Sequence, residues 1–470
     1  MAHPTIGLIT FGDDRAHEWE SVFRGMTEPR HADALAFFRS LPVKLQADER
    51  VARTREQVDA QTDALRAAGV EAVIAHTPCW TSPNLVVHGV QRLGLPTILV
   101  GNKHPGTHST VGLLGAGGAL GQIGYSHLRA REDFNDALAA KVMPYLRAAS
   151  VKARLRGRRF GLFGGRSLGI DTGTFDPMQW KRIFGVDTEH IDQLEIIRRA
   201  EQVPGADTER TMAWLAGRVG RIAYSPTLTE AKLAYQVRCY LATLQIIREM
   251  GLDFVAVKCM PDLTTHYVPQ CISAALLPGP YDADGPRDPI MMACEADGDG
   301  ALTMEILKEV SGGKPVLFMD VSYIDDARGR FYFPNCGAMC SWYSGRSSSP
   351  EVNLARVELR PANRPGGGAI TYFTTAPGPL TLARLYRVGG SYRMAVILAE
   401  AVEVSTEERE AFVQARGSHQ LPTTFLEARV DIDRLIGGLG SNHILGVDGT
   451  YAEELAHYCA LMDIELQRFD

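Results

Sequence analysis

The sequence predicts an α/β protein with two parallel-sheet α/β domains followed by a mostly antiparallel, β-barrel-like C-terminal domain. Through the first two thirds of the 470 residues, short apolar runs alternate with helical stretches. This alternation is typical of parallel sheets that carry helices on both faces. After about residue 315, Gly, Pro and Ser become common, and β-type runs follow one another without long helices between them, which favours antiparallel strands.

The individual elements follow from these runs. Strands are predicted at Thr5–Phe11, Glu71–Thr77, Pro96–Gly101, Arg159–Gly164, Asp253–Lys258, Pro289–Cys294, Pro315–Val321 and Tyr392–Val404. Helices are predicted at Glu56–Ala68, Leu233–Met250 and Thr450–Phe469. A basic segment near residue 155, SVKARLRGRRFGLFGG, predicts a connection between domains. We therefore expect domains at residues 1–156, 157–315 and 316–470.

Composition narrows the class of protein. A net charge of −6 gives no indication of nucleic-acid binding, and no run of about 18 apolar residues predicts a membrane span. The first residues, MAHPTIGLITFG, enter a strand directly, so we expect no signal peptide. The eight cysteines are scattered, which favours reduced thiols and a cytoplasmic location. Cys336 and Cys340 form an isolated CxxxC, for which a zinc site is not expected.

Two acidic residues stand where buried strands end. Glu295 follows the apolar run of PIMMACEADGDG, and Asp320 lies near the end of KPVLFMDV. Ligands bind at the carboxyl ends of parallel strands, and a carboxylate there is costly unless it is paired, hydrogen-bonded or bound to a metal. Either acid alone fits a helix cap or a turn equally well, whereas the two together favour a site. Asp297 and Asp299 stand where a helix begins, and capping suffices for them.

His443, in GGLGSNHILGVDG, is the third candidate. A lone histidine there is more often a structural residue. Two carboxylates with one imidazole, however, suit Mn²⁺ or a similar divalent ion with open coordination positions. His104 and His108 lie four residues apart, but the Pro-Gly between them argues against a helical metal-binding pair.

Three further segments are open to two interpretations. Trp80, in AHTPCWTSPN, follows a strand end, where it would either stack on a sugar or pack into the protein. The glycines of LLGAGGALGQIG partly imitate a dinucleotide-binding loop, and FGGRSLGIDTG follows a strand as an anion-binding turn would. Neither glycine segment has the surrounding pattern of a nucleotide site.

These segments together resemble the L-fucose isomerase and L-arabinose isomerase superfamily, and the L-fucose isomerase branch most closely. The resemblance extends over nearly the whole chain and is carried by TPCWTSPN, FGGRSLGIDTGTFD, VKCMPDL, MMACEADGDGALTM, PVLFMDV, NCGAM, APGPLTLARL and SNHILGVDG. The Cys-Glu segment together with Asn-His is the most specific part of it.

The resemblance implies a metal-dependent aldose–ketose isomerase that acts on a monosaccharide through a cis-enediol intermediate. It implies that Glu295, Asp320 and His443 bind the metal and that the two carboxylates also transfer protons. Positions that contact the sugar in the family fall on Arg15, Trp80, Lys258 and Asn442, of which Arg15 is the loosest match. The resemblance further implies a homo-oligomer, a hexamer, in which the N-terminal domain of a neighbouring subunit covers the site.

Departures from the family pattern bear on the substrate. The chain is shorter than the classical enzymes, Asn335 stands where relatives have His before Cys-Gly, and Lys258 stands where they carry glutamine. The sequence therefore predicts either a deoxy hexose or an anionic sugar, such as a sulfonated hexose of the sulfoquinovose type. The alternative function is a non-catalytic sugar-binding or regulatory protein on the same scaffold. A nucleotide-dependent enzyme has little support.

Overall fold

The computed structural model describes residues 3–416 and 421–469. The chain forms two compact units. The first comprises Met1–Arg154 with Glu453–Asp463, and the second comprises Leu155–Ala452 with Ile464–Asp470. Across the described ranges, no helix has the length and apolar character that a membrane span requires.

The first unit is built on a five-stranded parallel sheet with the strand order β2-β1-β3-β4-β5. Its three central strands are almost entirely buried, as expected for strands covered on both faces. Apolar side chains pack on each face of the sheet. The strands are β1 Thr5–Thr10, β2 Lys44–Ala47, β3 Ala72–His76, β4 Thr97–Gly101 and β5 His127–Arg131, and the helices are α1 Ala16–Glu18, α2 Arg24–Ser40, α3 Arg55–Ala67, α4 Pro83–Leu93, α5 Ser109–Gln122 and α6 Asp136–Leu155.

The second unit contains a four-stranded parallel sheet, a large mostly antiparallel sheet and two small sheets. Its strands are β6 Arg159–Phe163, β7 Asp187–Ile191, β8 Arg221–Ile222, β9 Phe254–Val257, β10 Tyr281–Asp282, β11 Gly285–Pro286, β12 Met292–Ala293, β13 Val316–Asp320, β14 Tyr323–Asp325, β15 Arg330–Pro334, β16 Glu358–Pro361, β17 Ala369–Tyr372, β18 Gly378–Val388, β19 Ser391–Ala401, β20 Thr423–Ala428, β21 His443–Asp448 and β22 Glu465–Arg468.

Its helices lie mainly between the strands of the parallel part and at the edges of the β-rich part. They are α7 Pro177–Ile183, α8 Leu194–Ala200, α9 Gly205–Ala216, α10 Glu230–Met250, α11 Asp262–His266, α12 Cys271–Leu276, α13 Gly298–Val310, α14 Pro350–Leu354, α15 Thr406–Ala415 and α16 Ile432–Gly438. A last helix, α17 Ala452–Met462, returns to the first unit.

Helix α13 lies between two sheets and is buried almost all round. On one side it packs against β9 and β12 of the parallel sheet, whose order is β12-β9-β6-β7. On the other side it packs against β13, β18 and β21 of the large sheet. A helix that is covered on all sides needs apolar residues on all sides, and ALTMEIL meets this need except at Thr303 and Glu305. Polar groups at its N-terminus are therefore buried as well.

The large sheet has the order β13-β21-β18-β19-β20-β15-β14, with β22 added alongside β19, and it curls into a half-barrel. All of its pairs are antiparallel except β19 with β22. The register of β13 against β21 places Asp320 directly opposite His443. Two residues that are far apart in sequence thus become cross-strand neighbours.

The predicted fold class is confirmed, and every predicted strand is found within a few residues of its expected ends. Two element assignments were wrong. Asp320 ends a strand of the antiparallel sheet and not of a parallel one, because a fully buried apolar run looks the same in either setting. The predicted helix Thr450–Phe469 ends at Met462. There Asp463, with φ +55°, turns the chain into β22. The three domain boundaries stay predictions.

Candidate active site

The Glu295 carboxylate is aimed by an unusual stretch of backbone. Strand β12 ends at Ala293, and Cys294–Ala296 form a single 3₁₀ turn before α13. Glu295 and Ala296 both have left-handed backbone conformations, with φ of +58° and +56°. Such a conformation costs a residue with a side chain about 1–2 kcal/mol, so the surrounding packing must hold it in place. The side chain that leaves this strained turn reaches His443.

Three donor groups meet beyond this turn. Nε2 of His443 lies 3.1 Å from Oε2 of Glu295 and 3.4 Å from Oδ1 of Asp320. One donor atom from each of the three residues lies within 4.8 Å of the other two. His443 is fully buried beneath the ring of Phe318, whereas the Asp320 side chain is 32% exposed. The cluster therefore opens toward solvent on its carboxylate side.

The electrostatics of the cluster favour a positive charge at its centre. Burial alone would lower the pKa of His443. Its hydrogen bonds with Asp297, Asp320 and Glu295 outweigh burial and raise that pKa well above the usual value. Three carboxylates around one ring thus hold a proton there when no other cation is present. A divalent cation would supply the same charge.

Asp297 holds the other side of the His443 ring. Its Oδ2 lies 2.8 Å from Nδ1 of His443, and its Oδ1 accepts a hydrogen bond of 2.8 Å from the backbone N–H of Gly300, which caps α13. Arg384, itself fully buried, donates to both carboxylate oxygens. Burial opposes ionisation of Asp297, but Arg384 and His443 prevail and hold the pKa of this carboxyl well below its usual range. The interaction fixes the imidazole with Nε2 facing Glu295 and Asp320.

Asp299 belongs to a separate buried network at the start of α13. Its Oδ1 accepts hydrogen bonds from the indole N–H of Trp180 at 3.1 Å and from the Tyr392 hydroxyl at 2.9 Å, and Arg387 contacts its Oδ2. Burial raises the pKa of Asp299 to about 6 against the opposing effect of Arg384 and Arg387. Asp299 thus stabilises the start of α13, and it does not contact Glu295, Asp320 or His443.

A cavity of about 730 Å³ opens onto the cluster. Glu295 and Asp320 lie in its wall, and three arginines line it as well, namely Arg360, Arg364 and Arg416. Arg360 forms an ion pair with Glu358, and Arg416 donates a hydrogen bond to Ser322. Within residues 3–416 and 421–469, Arg364 has no carboxylate at ion-pair distance. The cavity is large enough for a monosaccharide, and its lining contains three guanidinium groups beside the two carboxylates.

Two of the four predicted sugar-contacting residues, Asn442 and Lys258, lie in the second unit. Asn442 precedes His443 and accepts a hydrogen bond from the Thr172 hydroxyl. Lys258 follows β9, but its ammonium group pairs with Asp262 at 2.8 Å and does not line the cavity.

Arg15 and Trp80 lie in the first unit. Arg15 forms a two-point ion pair with the buried Asp13. Trp80 is half-buried and packs with Trp19, Phe23 and Cys79. The role of all four residues as sugar contacts stays a prediction.

The glycine-rich segment LLGAGGALGQIG lies in helix α5 and its C-terminal end, and it does not form a loop. A Cβ atom at Gly117 would clash with the Arg129 side chain, and one at Gly112, just before the segment, would lie 2.6 Å from the backbone oxygen of Cys79. These glycines allow close packing and do not cradle a phosphate. The segment after β6 leads into a short 3₁₀ turn, Asp171–Gly173, which supplies Thr172 to Asn442 and its backbone oxygen to Arg384.

Two parts of this site cannot be read from the sequence pattern. Capping is confirmed for Asp297 and is wrong for Asp299, whose side chain binds Trp180 and Tyr392 instead of the helix backbone. The contact of Asp297 with His443 does not follow from the sequence. Arg384 was not singled out at all. A charged residue inside the apolar run of β18 is the pattern that indicates a buried partner of opposite charge.

Comparison with known proteins identifies the family to which the chain belongs. Residues 3–157 match the first N-terminal domain of L-fucose isomerase, and residues 333–469 match its C-terminal domain. A sulfoquinovose isomerase of Clostridium sp. (strain MSTE9) is 26% identical over 57% of this chain and 56% of its own length. The sulfoquinovose isomerase of Alkalicoccus urumqiensis is 23% identical over 71% of this chain and 73% of its own length. An L-fucose isomerase of Bacteroides fragilis is 24% identical over 84% of this chain and 80% of its own.

Both matched domains contain residues that the sequence analysis names as candidates. The C-terminal match includes His443 and Arg384, and the N-terminal match includes Arg15 and Trp80. The chain spans little more than half the length of the first of these relatives, so the similarity establishes the family and not the substrate. The chain belongs to the L-fucose isomerase family of sugar isomerases.

Proposed function

We propose that this protein is a divalent-metal-dependent aldose–ketose isomerase. The observation that carries the proposal is the meeting of Glu295, Asp320 and His443 at the wall of a cavity of about 730 Å³. No cofactor other than the metal is required, because isomerisation moves hydrogen within a single sugar.

The donor set fits Mn²⁺ or a similar ion. Two carboxylates and one imidazole are the ligands that such a cation accepts, and three protein ligands leave coordination positions for sugar oxygens. Asp297 keeps Nε2 of His443 directed at the other two ligands. When bound, the metal would act as a Lewis acid that makes the proton on C2 more acidic and stabilises negative charge on the neighbouring oxygens.

Glu295 and Asp320 would carry the protons. One carboxylate removes the proton from C2 of the aldose and returns it to C1, and the other moves the hydroxyl proton from O2 to O1. The cis-enediol is the intermediate between these steps, and the product has the same atoms as the substrate. Both carboxylates line the cavity, which supports a joint role in proton transfer. Either group can take either role.

Glu295→Gln tests the proposed chemistry. It keeps the shape of the side chain but removes a base and a charged ligand, so we expect a folded protein whose turnover falls by about 10²–10⁴-fold. Turnover is measured as ketose formation with Mn²⁺, and folding is measured by circular dichroism. Full turnover by this variant would refute the mechanism. A non-catalytic sugar-binding protein would instead keep its sugar affinity after the substitution and would show no metal-dependent turnover in the wild type.

An anionic sugar is the substrate class that we propose. Arg364 lines the cavity and has no carboxylate partner among the residues that the structure describes, and several relatives are named sulfoquinovose isomerases. A deoxy hexose would leave this guanidinium without a counter-charge, which favours a sulfonated or otherwise anionic hexose.

A screen of neutral and anionic aldoses tests the substrate class. We expect higher kcat/KM for an anionic sugar. Arg364→Met should lower that value by roughly 10–100-fold, as expected for loss of a hydrogen bond to a charged group, and should leave the neutral sugars nearly unchanged. Equal loss on both classes would show that Arg364 does not select the anion.

We further propose a homo-oligomer, a hexamer by family expectation, in which Trp80 and Arg15 reach the site of a neighbouring subunit. Sedimentation velocity gives the assembly size. Mixing Glu295→Gln with Trp80→Ala subunits tests contribution between subunits, because complementation restores activity only when the two residues act across an interface.

A further inference from the structure

Four of the eight cysteines line the same cavity as the candidate active site. They are Cys259, Cys271, Cys294 and Cys336, whereas Cys79, Cys239, Cys340 and Cys459 are buried elsewhere. The proposed isomerisation uses none of these thiols. The isomerase chemistry therefore does not explain why four thiols line this cavity.

Two of the four are close enough to act together. The sulfur atoms of Cys294 and Cys336 lie 3.4 Å apart, and a carboxylate oxygen of Glu295 lies within 4.8 Å of both. A zinc–sulfur bond is about 2.3 Å, so a single ion can contact both sulfur atoms at this separation. Cys294 is buried, but Cys336 is partly exposed in the cavity wall, which gives an ion a path to the pair.

We propose that Cys294, Cys336 and Glu295 form a second metal site, which takes a soft, thiolate-binding divalent cation such as Cd²⁺ or Zn²⁺. The site differs from the neighbouring cluster in its chemistry. Sulfur ligands select soft ions, whereas the oxygen and imidazole ligands of the neighbouring cluster suit Mn²⁺.

Binding at this site involves no oxidation or reduction. Each thiol gives its proton to solvent as its sulfur bonds to the cation, and Glu295 supplies its carboxylate oxygen. Glu295 belongs to both donor sets, so a cation on the two thiolates shares this ligand with the Mn²⁺ cluster and puts a second positive charge beside it. On the proposed function, occupancy of the thiol site therefore weakens Mn²⁺ binding and inhibits the isomerase.

Titration of the metal-free, fully reduced protein with Cd²⁺ tests the site directly. The readout is the ultraviolet charge-transfer absorption from thiolate to Cd²⁺, which does not depend on catalysis. We expect the wild type to develop this band at one equivalent. Cys336→Ser should abolish it, whereas Cys340→Ser, a change of the same kind four residues along the chain, should retain it.

Asp320→Asn separates this proposal from the proposed function. It damages only the Mn²⁺ cluster, so the Cd²⁺ band should persist even if the protein proves not to be a manganese-dependent isomerase. Absence of the band in wild type with all thiols reduced would overturn the thiol site, and so would its retention in a folded Cys336→Ser variant. Thermal unfolding of each variant verifies that it is folded.

Discussion

The Asp297 carboxylate serves two elements at once, since it caps α13 and fixes the His443 ring. Asp297→Asn keeps an oxygen for the cap but removes the charge that pairs with Arg384 and supports the imidazole. We expect Mn²⁺ affinity, measured by isothermal titration calorimetry, to fall by about 10–100-fold. Stability to urea should also fall, because Arg384 is left buried without a counter-ion.

Asp431→Asn is the matched control for this variant. Asp431 caps α16 through the same type of hydrogen bond, to the N–H of Arg434, but lies in solvent. It should leave Mn²⁺ affinity unchanged. Equal affinity in the Asp297 and Asp431 variants would contradict a role for Asp297 in orienting His443.

The left-handed turn at Ala296 makes a second residue-scale prediction. Glycine adopts this conformation freely, so Ala296→Gly relieves about 1–2 kcal/mol of strain, which offsets the lost methyl burial and the added freedom of the unfolded chain. Ala293→Gly, at a buried strand position with φ −84°, has no such relief. Urea unfolding should show Ala296→Gly to be more stable than Ala293→Gly by at least about 1 kcal/mol. The reverse order would mean that the turn is not strained.

Residue type and chain position identified the three ligand candidates, but not the groups that support them. Glu295 and His443 were found because a carboxylate or an imidazole near a buried strand needs an explanation. Asp297 had a sufficient explanation as a helix cap, so nothing in the sequence indicated a further contact. Arg384 lies 87 residues from Asp297, and Cys336 lies 42 residues from Cys294. Contacts of this range follow from the packing of α13 between two sheets, which no local pattern records.

At the scale of the element, the first turn of α13 carries a buried acid that titrates near neutral pH. Asp299 faces Arg384, Arg387, Asp297 and the Tyr392 hydroxyl, and burial raises its pKa to about 6 from 3.8. The folded protein therefore binds this proton more tightly than the unfolded chain does. The contribution of Asp299 to stability must fall as pH rises from about 4 to about 6, by an amount on the order of 3 kcal/mol when the shift is converted at about 1.4 kcal/mol per unit.

Asp299→Asn removes this titration while keeping an oxygen for Trp180 and Tyr392. The free energy of unfolding of the wild type minus that of the variant should decrease as pH rises through this window and become constant above about pH 7. Urea titrations at a series of pH values measure this difference. A difference that does not depend on pH would show that Asp299 is ionised throughout.

The strand assignments show which element properties are local. Apolar runs located every predicted strand, but the parallel or antiparallel partner of β13 depends on β21, more than 100 residues along the chain. The prediction of a helix as far as Phe469 was wrong for a similar reason. Its periodicity is helical as far as Met462, and the remainder is extended because β19 offers an edge to pair with.

For the whole molecule, the two compact units should respond differently to the metal. All three ligand candidates lie in the second unit, on the turn after β12, on β13 and on β21. A cation that binds only the folded site stabilises it by about 2.7 kcal/mol at a concentration 100 times its Kd. Hydrogen exchange with Mn²⁺ should therefore slow at the amides of β13, β21 and residues 294–297. Exchange at β1–β5 should stay unchanged, and Asp320→Asn should abolish the difference. Equal slowing in both units, or slowing that persists in Asp320→Asn, would place the ion elsewhere.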